Sequence, residues 1–188
     1  MKRITLALLL TFALILSLAS CVENEGNKDL EKLNELAASL DANYVLTISV
    51  ESESGNEANK EYTVSTENGT TAVHAKFETI NSFSVNGDDI TAPDSYTTVT
   101  ERNLTSEEVA NGRFNLPAFN FSSSNLSNIV IVNGTLSAKV ASIKNLMGTT
   151  LDASNIKLTV KYSNTAIQSI VINYTTSQND TVTLSYTF

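Results

Sequence analysis

Cys21 is the residue whose type and position point most directly to covalent chemistry. It is the only cysteine among 188 residues, and it follows Leu18, Ala19 and Ser20 at the end of an apolar stretch. A cysteine sulfur is a strong nucleophile once its thiol is deprotonated. The small side chains at positions 19 and 20 leave the backbone open to a protease. Cys21 is therefore the first candidate site, with the bond between Ser20 and Cys21 as the one to be cut.

The residues before Cys21 have the three-part layout of a secretory signal peptide. Lys2 and Arg3 form a positively charged start, residues 4–18 form an apolar stretch, and small residues lead to the cleavage point. A secretory signal needs this order of charge, short apolar run and small residues. We therefore predict a signal peptide over residues 1–20 that is removed from the exported protein.

The four residues Leu18-Ala19-Ser20-Cys21 resemble the bacterial lipobox, which is an aliphatic residue, two small residues and a cysteine. In bacterial lipoproteins a diacylglycerol is attached to the cysteine through a thioether, and signal peptidase II cuts directly before it. The resemblance implies that Cys21 becomes the lipidated first residue, with fatty acyl chains such as palmitate. Two or three acyl chains, at about 0.8 kcal/mol per buried methylene, hold a protein on a bilayer. The implied partner is a lipid bilayer, and the implied location is the outer face of the cell membrane.

Two other interpretations of the amino terminus stay open. Residues 4–18 could form an uncleaved anchor helix, although 15 residues are fewer than the ~20 that span a bilayer. The segment could also be an ordinary secretory signal, with Cys21 left as a free thiol. The placement of the single cysteine at the cleavage point favours the lipoprotein.

His74 and two groups of carboxylates are the other candidates for chemistry. His74 lies on the polar side of an alternating segment with no nucleophile or acid set nearby, so we predict an exposed histidine on a strand. Asp88, Asp89 and Asp94 lack the regular spacing of a calcium loop and predict a polar turn. Other acids predict a solvated patch around a hairpin: Glu51, Glu53, Glu57 and Glu61. We predict no catalytic residue, no metal site and no cofactor.

Composition limits the function further. Residues 21–188 carry all 20 acidic residues and 10 of the 12 basic ones, a formal charge of −10, which argues against a nucleic-acid binder. One cysteine and one histidine are too few for a metal enzyme built on His or Cys ligands, or for a disulfide scaffold. The length suits a single domain. We predict a non-enzymatic protein with a lipidated cysteine and flexible tether at residues 21–28 and one domain at residues 29–188.

Periodicity predicts one helix followed by many strands. Apolar residues at helical spacing predict an amphipathic helix over residues 28–41, whose stripe must lie against a sheet. A capping box predicts a short helix over residues 105–111. The stripe is Leu30, Leu33, Leu36, Ala37 and Leu40. Predicted strands cover residues 44–50, 60–66, 71–80, 83–85, 95–101, 126–132 and 135–143, and a three-stranded meander fills the last 33 residues.

The predicted fold is mainly β, with eight to ten antiparallel strands packed on the N-terminal helix. Two arrangements stay open: a β-sandwich, or a strongly curved sheet that forms a half-barrel. The order of helix, hairpins, short helical turn and closing meander resembles the half-barrel of LolA-like periplasmic lipoprotein carriers and of related surface lipoproteins of Gram-positive bacteria. This resemblance rests on the order of elements alone, and it implies no particular binding residues.

Two functions follow from these predictions. A membrane-anchored carrier would hold a lipid or another hydrophobic ligand against the apolar face of its sheet, whereas a structural or adhesin-like lipoprotein would have a packed core and no ligand. A carrier needs an apolar cavity of ~300 Å³ or more, and a packed domain has only small voids. The candidate lining residues are Ile156, Leu158, Val160, Ile170, Ile172, Val182 and Leu184.

Overall fold

The computed structural model describes residues 28–52, 57–82, 95–112 and 114–188. Its helices are α1 (residues 28–38), α2 (Ser106–Asn111) and α3 (Ile143–Met147). The first four strands are β1 (Tyr44–Glu51), β2 (Glu57–Glu67), β3 (Thr70–Ser82) and β4 (Ser95–Asn103). The other five are β5 (Leu126–Val132), β6 (Thr135–Val140), β7 (Ser154–Tyr162), β8 (Ile167–Thr175) and β9 (Thr181–Thr187). The strand predicted near residues 83–85 lies outside the described residues.

All nine strands belong to one antiparallel sheet in the order β4-β3-β2-β1-β9-β8-β7-β6-β5. The first and last strands pair in the middle, with Ile48 opposite Leu184, so the two ends of the domain share one core. The mainly β fold of eight to ten antiparallel strands is confirmed. Because the strands form a single open sheet, the curved-sheet arrangement applies and the sandwich does not.

Tight turns of Asn and Gly close two of the hairpins. Asn68 and Gly69 have φ angles of 52° and 78°, and Asn133 and Gly134 have φ angles of 50° and 71°. Two successive positive φ angles make the turn that matches the twist of antiparallel strands, and Asn-Gly adopts it with least strain. These dipeptides therefore set where β2 turns into β3 and where β5 turns into β6.

Alternation in the last three strands places one apolar row beside the next. Leu158 pairs with Ile172, and Ile172 pairs with Leu184. Successive side chains of a strand point to opposite faces of a sheet, so the Thr, Ser and Lys residues between them lie on the other side. We call the apolar side the inner face and the opposite side the outer face. The predicted meander is confirmed.

The inner face is covered by α1, by α3 and by the segment of residues 114–121. Leu30 and Leu33 of α1 are buried in the core, and Leu36 and Leu40 pack against it while partly exposed. The helix ends at residue 38 because Ser39 N and Leu40 N donate to the carbonyl oxygens three residues back, at 3.2 and 3.4 Å, which tightens the last turn. The predicted end at residue 41 was three residues too late.

The helix α3 replaces the end of a predicted strand. We predicted a strand over residues 135–143, whereas β6 ends at Val140 and Ile143 begins α3. Ser142 caps this helix by accepting a hydrogen bond from Asn145 N at 3.3 Å, and Gly148 ends it with a φ of 73°. Ser before the helix and Gly after it are helix start and stop signals, which a search for alternating apolar residues overlooks.

The short helix α2 begins with the predicted capping box. Thr105 Oγ1 accepts from Glu108 N at 3.3 Å, and the Glu108 carboxylate accepts from Thr105 N at 2.9 Å. Arg102 of β4 donates two further hydrogen bonds to that carboxylate, at 2.8 and 2.6 Å. The Arg102 guanidinium and the Thr105 amide lower the pKa of Glu108 to about 2. This ion pair ties α2 to the edge of the sheet.

In the part of the chain that the structure describes, no helix is both long enough and apolar enough to cross a bilayer.

Candidate functional site

The predicted modification site lies outside the described residues. Cys21, Ser20 and the whole segment 1–20 precede α1, which the structure describes from Lys28 onward. Glu53, Asp88, Asp89 and Asp94 also lie outside. Signal cleavage, lipidation and the polar turn therefore stay predictions.

The seven predicted lining residues lie together on the inner face of β7, β8 and β9. They form neighbouring positions in the sheet, since Val160 pairs with Ile170 and Ile170 with Tyr186. Their side chains are 0–7% exposed and belong to one core cluster with α1 and α3. The seven are Ile156, Leu158, Val160, Ile170, Ile172, Val182 and Leu184. Their shared apolar face is as predicted, and contact with a ligand stays a prediction.

Aromatic side chains fill the space between the sheet and its cover. Phe121 is 1% exposed and stacks on Phe119, with ring centroids 6.4 Å apart. Phe119 meets Tyr186 edge to face at 5.2 Å, and Tyr186 lies 5.9 Å from Tyr44. Burial raises the pKa of Tyr44 to about 12, so this phenol stays protonated and can donate. Its hydroxyl donates to Phe114 O at 2.7 Å, which ties β1 to the covering segment.

Asn34 joins α1 to the covering segment of residues 114–121. Its side-chain amide donates to Phe121 O at 3.1 Å, and its side-chain oxygen accepts from Phe121 N at 2.8 Å. This pair of bonds satisfies a backbone N–H and C=O that no strand serves. Sequence reasoning did not single out Asn34, because it lies beside the apolar stripe of α1 like any solvated residue.

Asn125 likewise pairs its side chain with backbone groups, at the turn that leads into α3. It is 4% exposed, it donates to Ser142 O at 3.0 Å, and its side-chain oxygen accepts from Ser142 N at 2.9 Å. Among the described residues, every buried side-chain nitrogen and oxygen has a hydrogen-bond partner. The polar atoms inside the domain are therefore occupied by the fold, and no sequence signal distinguishes Asn125 from its Ser and Asn neighbours.

Pockets formed by the described residues lie at the rim of the cover and on the outer face. The largest of four, about 380 Å³, lies beside Glu31, Asn34, Asn120 and Ser122, and its lining is mostly polar. The other three have volumes of about 280, 280 and 190 Å³. None of these four pockets is lined by any of the seven candidate residues.

His74 lies on the outer face of β3, between two residues of β4. Its Nε2 lies 2.8 Å from Glu101 Oε1, and its Nδ1 lies 2.9 Å from Asn103 Oδ1. The hydrogen bond to Glu101 raises the pKa of His74 above its ordinary value of 6.5, with a smaller contribution from Asn103. The imidazole is 44% exposed, as predicted for a histidine on the polar side of a strand. Both ring nitrogens are engaged, so neither is free to act as a base in this arrangement.

Three of the four glutamates of the predicted acidic patch are described, and they lie on β1 and β2. Glu51 lies opposite Glu57, and Glu61 lies opposite Lys76. Within residues 28–188, apart from the undescribed segments, no group of three or more His, Cys, Asp or Glu residues is placed to hold a metal ion. Opposite charges at directly paired positions, such as Glu61 and Lys76, favour the pairing of two strands.

No family model matches this sequence, and no curated protein sequence is significantly similar to it. The function is therefore proposed from the residues and from the geometry of the domain.

Proposed function

We propose that this chain is an exported lipoprotein, anchored by fatty acyl chains on Cys21 to the outer face of a cell membrane. The observation that carries the proposal is the sequence Leu18-Ala19-Ser20-Cys21 after a charged start and a short apolar stretch. The domain described from Lys28 onward would then be separated from Cys21 by a link of six residues, 22–27. At about 3.5 Å per extended residue, that link keeps the domain within ~25 Å of its anchor.

The anchor is tested by metabolic labelling of the full chain with a clickable fatty acid in bacterial cells. The natural chain should carry the label and partition into membranes, because Cys21 supplies the only thiol. Cys21→Ala should carry no label and should be released or left uncut. Ser20→Gly is the matched control, since a small side chain at this position should preserve cleavage and labelling. An unlabelled natural chain, or a label retained by Cys21→Ala, would refute the anchor.

For the domain itself, we propose a non-catalytic role exerted through its surface. The support is the packing of the inner face, where the seven candidate residues are buried against α1, α3 and the aromatic segment. A carrier would have to displace this cover before a ligand could reach them. Amphiphile carriage is thus the alternative, and it requires an opening of the cover.

Native mass spectrometry of the lipidated protein from bacterial membranes distinguishes the two roles. The surface role predicts a single mass, equal to the polypeptide plus its anchor. A further bound species of defined lipid mass would favour carriage instead. Phe121→Ala sharpens the comparison, because loosening the cover should increase recovery of a bound lipid in a carrier and should only lower stability in a packed domain.

A further inference from the structure

Among the residues that the structure describes, the large apolar side chains that stay exposed lie at the two edges of the sheet. Among the described residues, the large apolar side chains that remain exposed are Val99, Val130 and Val132, at 52%, 56% and 57%. Val99 lies on β4 and the other two lie on β5, which are the first and last strands in the sheet order. An exposed apolar edge strand is a template for pairing with another strand.

Both edge strands also leave backbone groups available. Within the described residues, β4 pairs only with β3, and β5 pairs only with β6. The register of β5 is interrupted between Ser127 and Val130, and regular pairing then continues through Val132. The regular part of the β5 edge therefore coincides with its two exposed valines.

The outer face is cationic on the β5 side. Strands β5 to β9, which are described in full, carry three lysines and no acidic residue: Lys139, Lys157 and Lys161. Lys139 lies directly opposite Lys157 on the neighbouring strand. Like charges in that position destabilise a sheet, and no carboxylate on these strands offsets them.

The outer face is acidic on the β4 side. Strands β1 to β4 carry six glutamates against three basic residues. On the edge itself, Glu101 follows Val99 by two residues and therefore shares its face, where it lies opposite Lys76 and 2.8 Å from His74. Glu78, on the strand beside it, lies opposite Val99. The exposed valines of the two edges thus lie on halves of the outer face that differ in charge, with Lys139 one strand and Lys157 two strands in from the β5 edge.

We propose that the β4 edge of one copy of this chain pairs with the β5 edge of a second copy. The contact would bury the exposed valines in one seam, supply partners for the free backbone groups, and bring Glu78 and Glu101 toward Lys139 and Lys157. Pairing of β4 with β4, or of β5 with β5, would bring like charges together. An anionic bilayer is a poorer occupant of the outer face, because the bilayer would repel the acidic half of that face.

The topology sets the direction of this pairing. Nine strands that alternate in direction leave β4 and β5 running the same way, so a seam that keeps the outer faces aligned is parallel. The contact uses different surfaces on the two copies, and each pair retains one free β4 edge and one free β5 edge. Such a heterologous contact builds rings or extended arrays rather than closed twofold dimers.

Cross-linking of the full chain in cell membranes tests the seam. Two differently tagged copies are co-expressed, one with Val99→Cys and one with Val132→Cys, and are treated with a short bismaleimide. The mixed product should exceed either like-with-like product at least fivefold. Thr181→Cys on the central strand β9 is the control for random collision. The natural chain, whose single cysteine is Cys21, shows how much product forms through that residue. Equal amounts of mixed and like products, or mixed product no greater than with Thr181→Cys, would overturn the proposal.

Charge reversal tests the selection of partners. Lys139→Glu with Lys157→Glu in the Val132→Cys copy should lower the mixed product at least twofold at low salt, because these exposed charges lie about 10 Å or more from the partner's edge. Glu78→Lys with Glu101→Lys in the Val99→Cys copy should then restore it, which shows that the altered chains still fold. Lys144→Glu on α3 reverses a single lysine on the covered side of the sheet, away from the outer face, and should have no effect. The proposal would be overturned if the four substitutions together failed to restore the mixed product. It would also be overturned if no mixed product formed while anionic vesicles protected Lys139 and Lys157 from chemical modification.

Discussion

The hydrogen-bond pair between Asn34 and Phe121 is expected to determine how readily the cover leaves the inner face. Asn34→Ala removes two bonds of 3.1 and 2.8 Å, each with a net contribution of about 0.5–1.5 kcal/mol. Alanine also raises helix propensity by about 0.5 kcal/mol relative to asparagine. The net loss should be about 0.5–2.5 kcal/mol, which increases the population of chains with an open cover by about 2-fold to 70-fold.

Native-state hydrogen exchange measures this opening segment by segment. In Asn34→Ala, amides of α1 and of residues 119–121 should exchange faster, while those of β7 to β9 should change less because they open only with the whole sheet. Glu35→Ala controls for helix propensity at an exposed neighbour. Asn164→Ala controls for loss of a single exposed bond, the one that Lys32 Nζ donates at 2.8 Å. Exchange in α1 that is no faster than in these controls would refute the role of Asn34 as the clamp.

Four further outcomes are expected. Gly134→Ala should destabilise more than Gly69→Ala in urea melts, because both positions have positive φ but only at Gly134 would a Cβ lie 2.5 Å from Tyr162 O; equal losses would contradict this. Glu108→Gln should flatten the pH dependence of Tm, since the lowered pKa of Glu108 gives stability that is present above its ordinary pKa of 4.5 and lost as pH falls toward 2; an unchanged acid profile would argue against the Arg102 pair. NMR titration should give His74 a pKa above 6.5, and the pKa of His74 should be lower in Glu101→Gln. The pair with Glu101 then stabilises the fold below pH 6.5, and this stabilisation is lost as pH rises through the folded-state pKa of His74. The same pKa of His74 in both chains would exclude the pairing. Ile170→Ala, at a side chain 0% exposed, should cost about 2–5 kcal/mol in urea melts, well above the loss in half-buried Val171→Ala.

Local patterns predicted most of the elements because their causes are local. The alternation in β7, β8 and β9 follows from the two faces of a strand, and the apolar stripe of α1 follows from helical spacing. Asn68-Gly69 and Asn133-Gly134 identify hairpins because few other dipeptides tolerate two positive φ angles. The capping box at Thr105 and Glu108 predicted α2 for a comparable reason.

The misassignment after β6 shows where local patterns stop being sufficient. Residues 135–143 contain enough alternating apolar positions to suggest one strand, yet the chain turns at Ala141 and forms α3. The turn is held by Asn125, whose side chain pairs with the backbone of Ser142 across 17 residues. A side chain that replaces a backbone partner at that separation leaves no periodic signal.

The amino-acid sequence by itself determined the signal-like amino terminus with its single cysteine, most of the helix and strand segments, and the division of charge between the two halves of the domain. The tertiary structure decided that β1 and β9 pair into one open sheet, that α1 and an aromatic segment cover its inner face, and that β4 and β5 become edges with exposed valines. Periodicity specifies which side of a strand is apolar. Which strands become neighbours, and which remain at the edge, depends on long-range pairing that only the folded chain establishes.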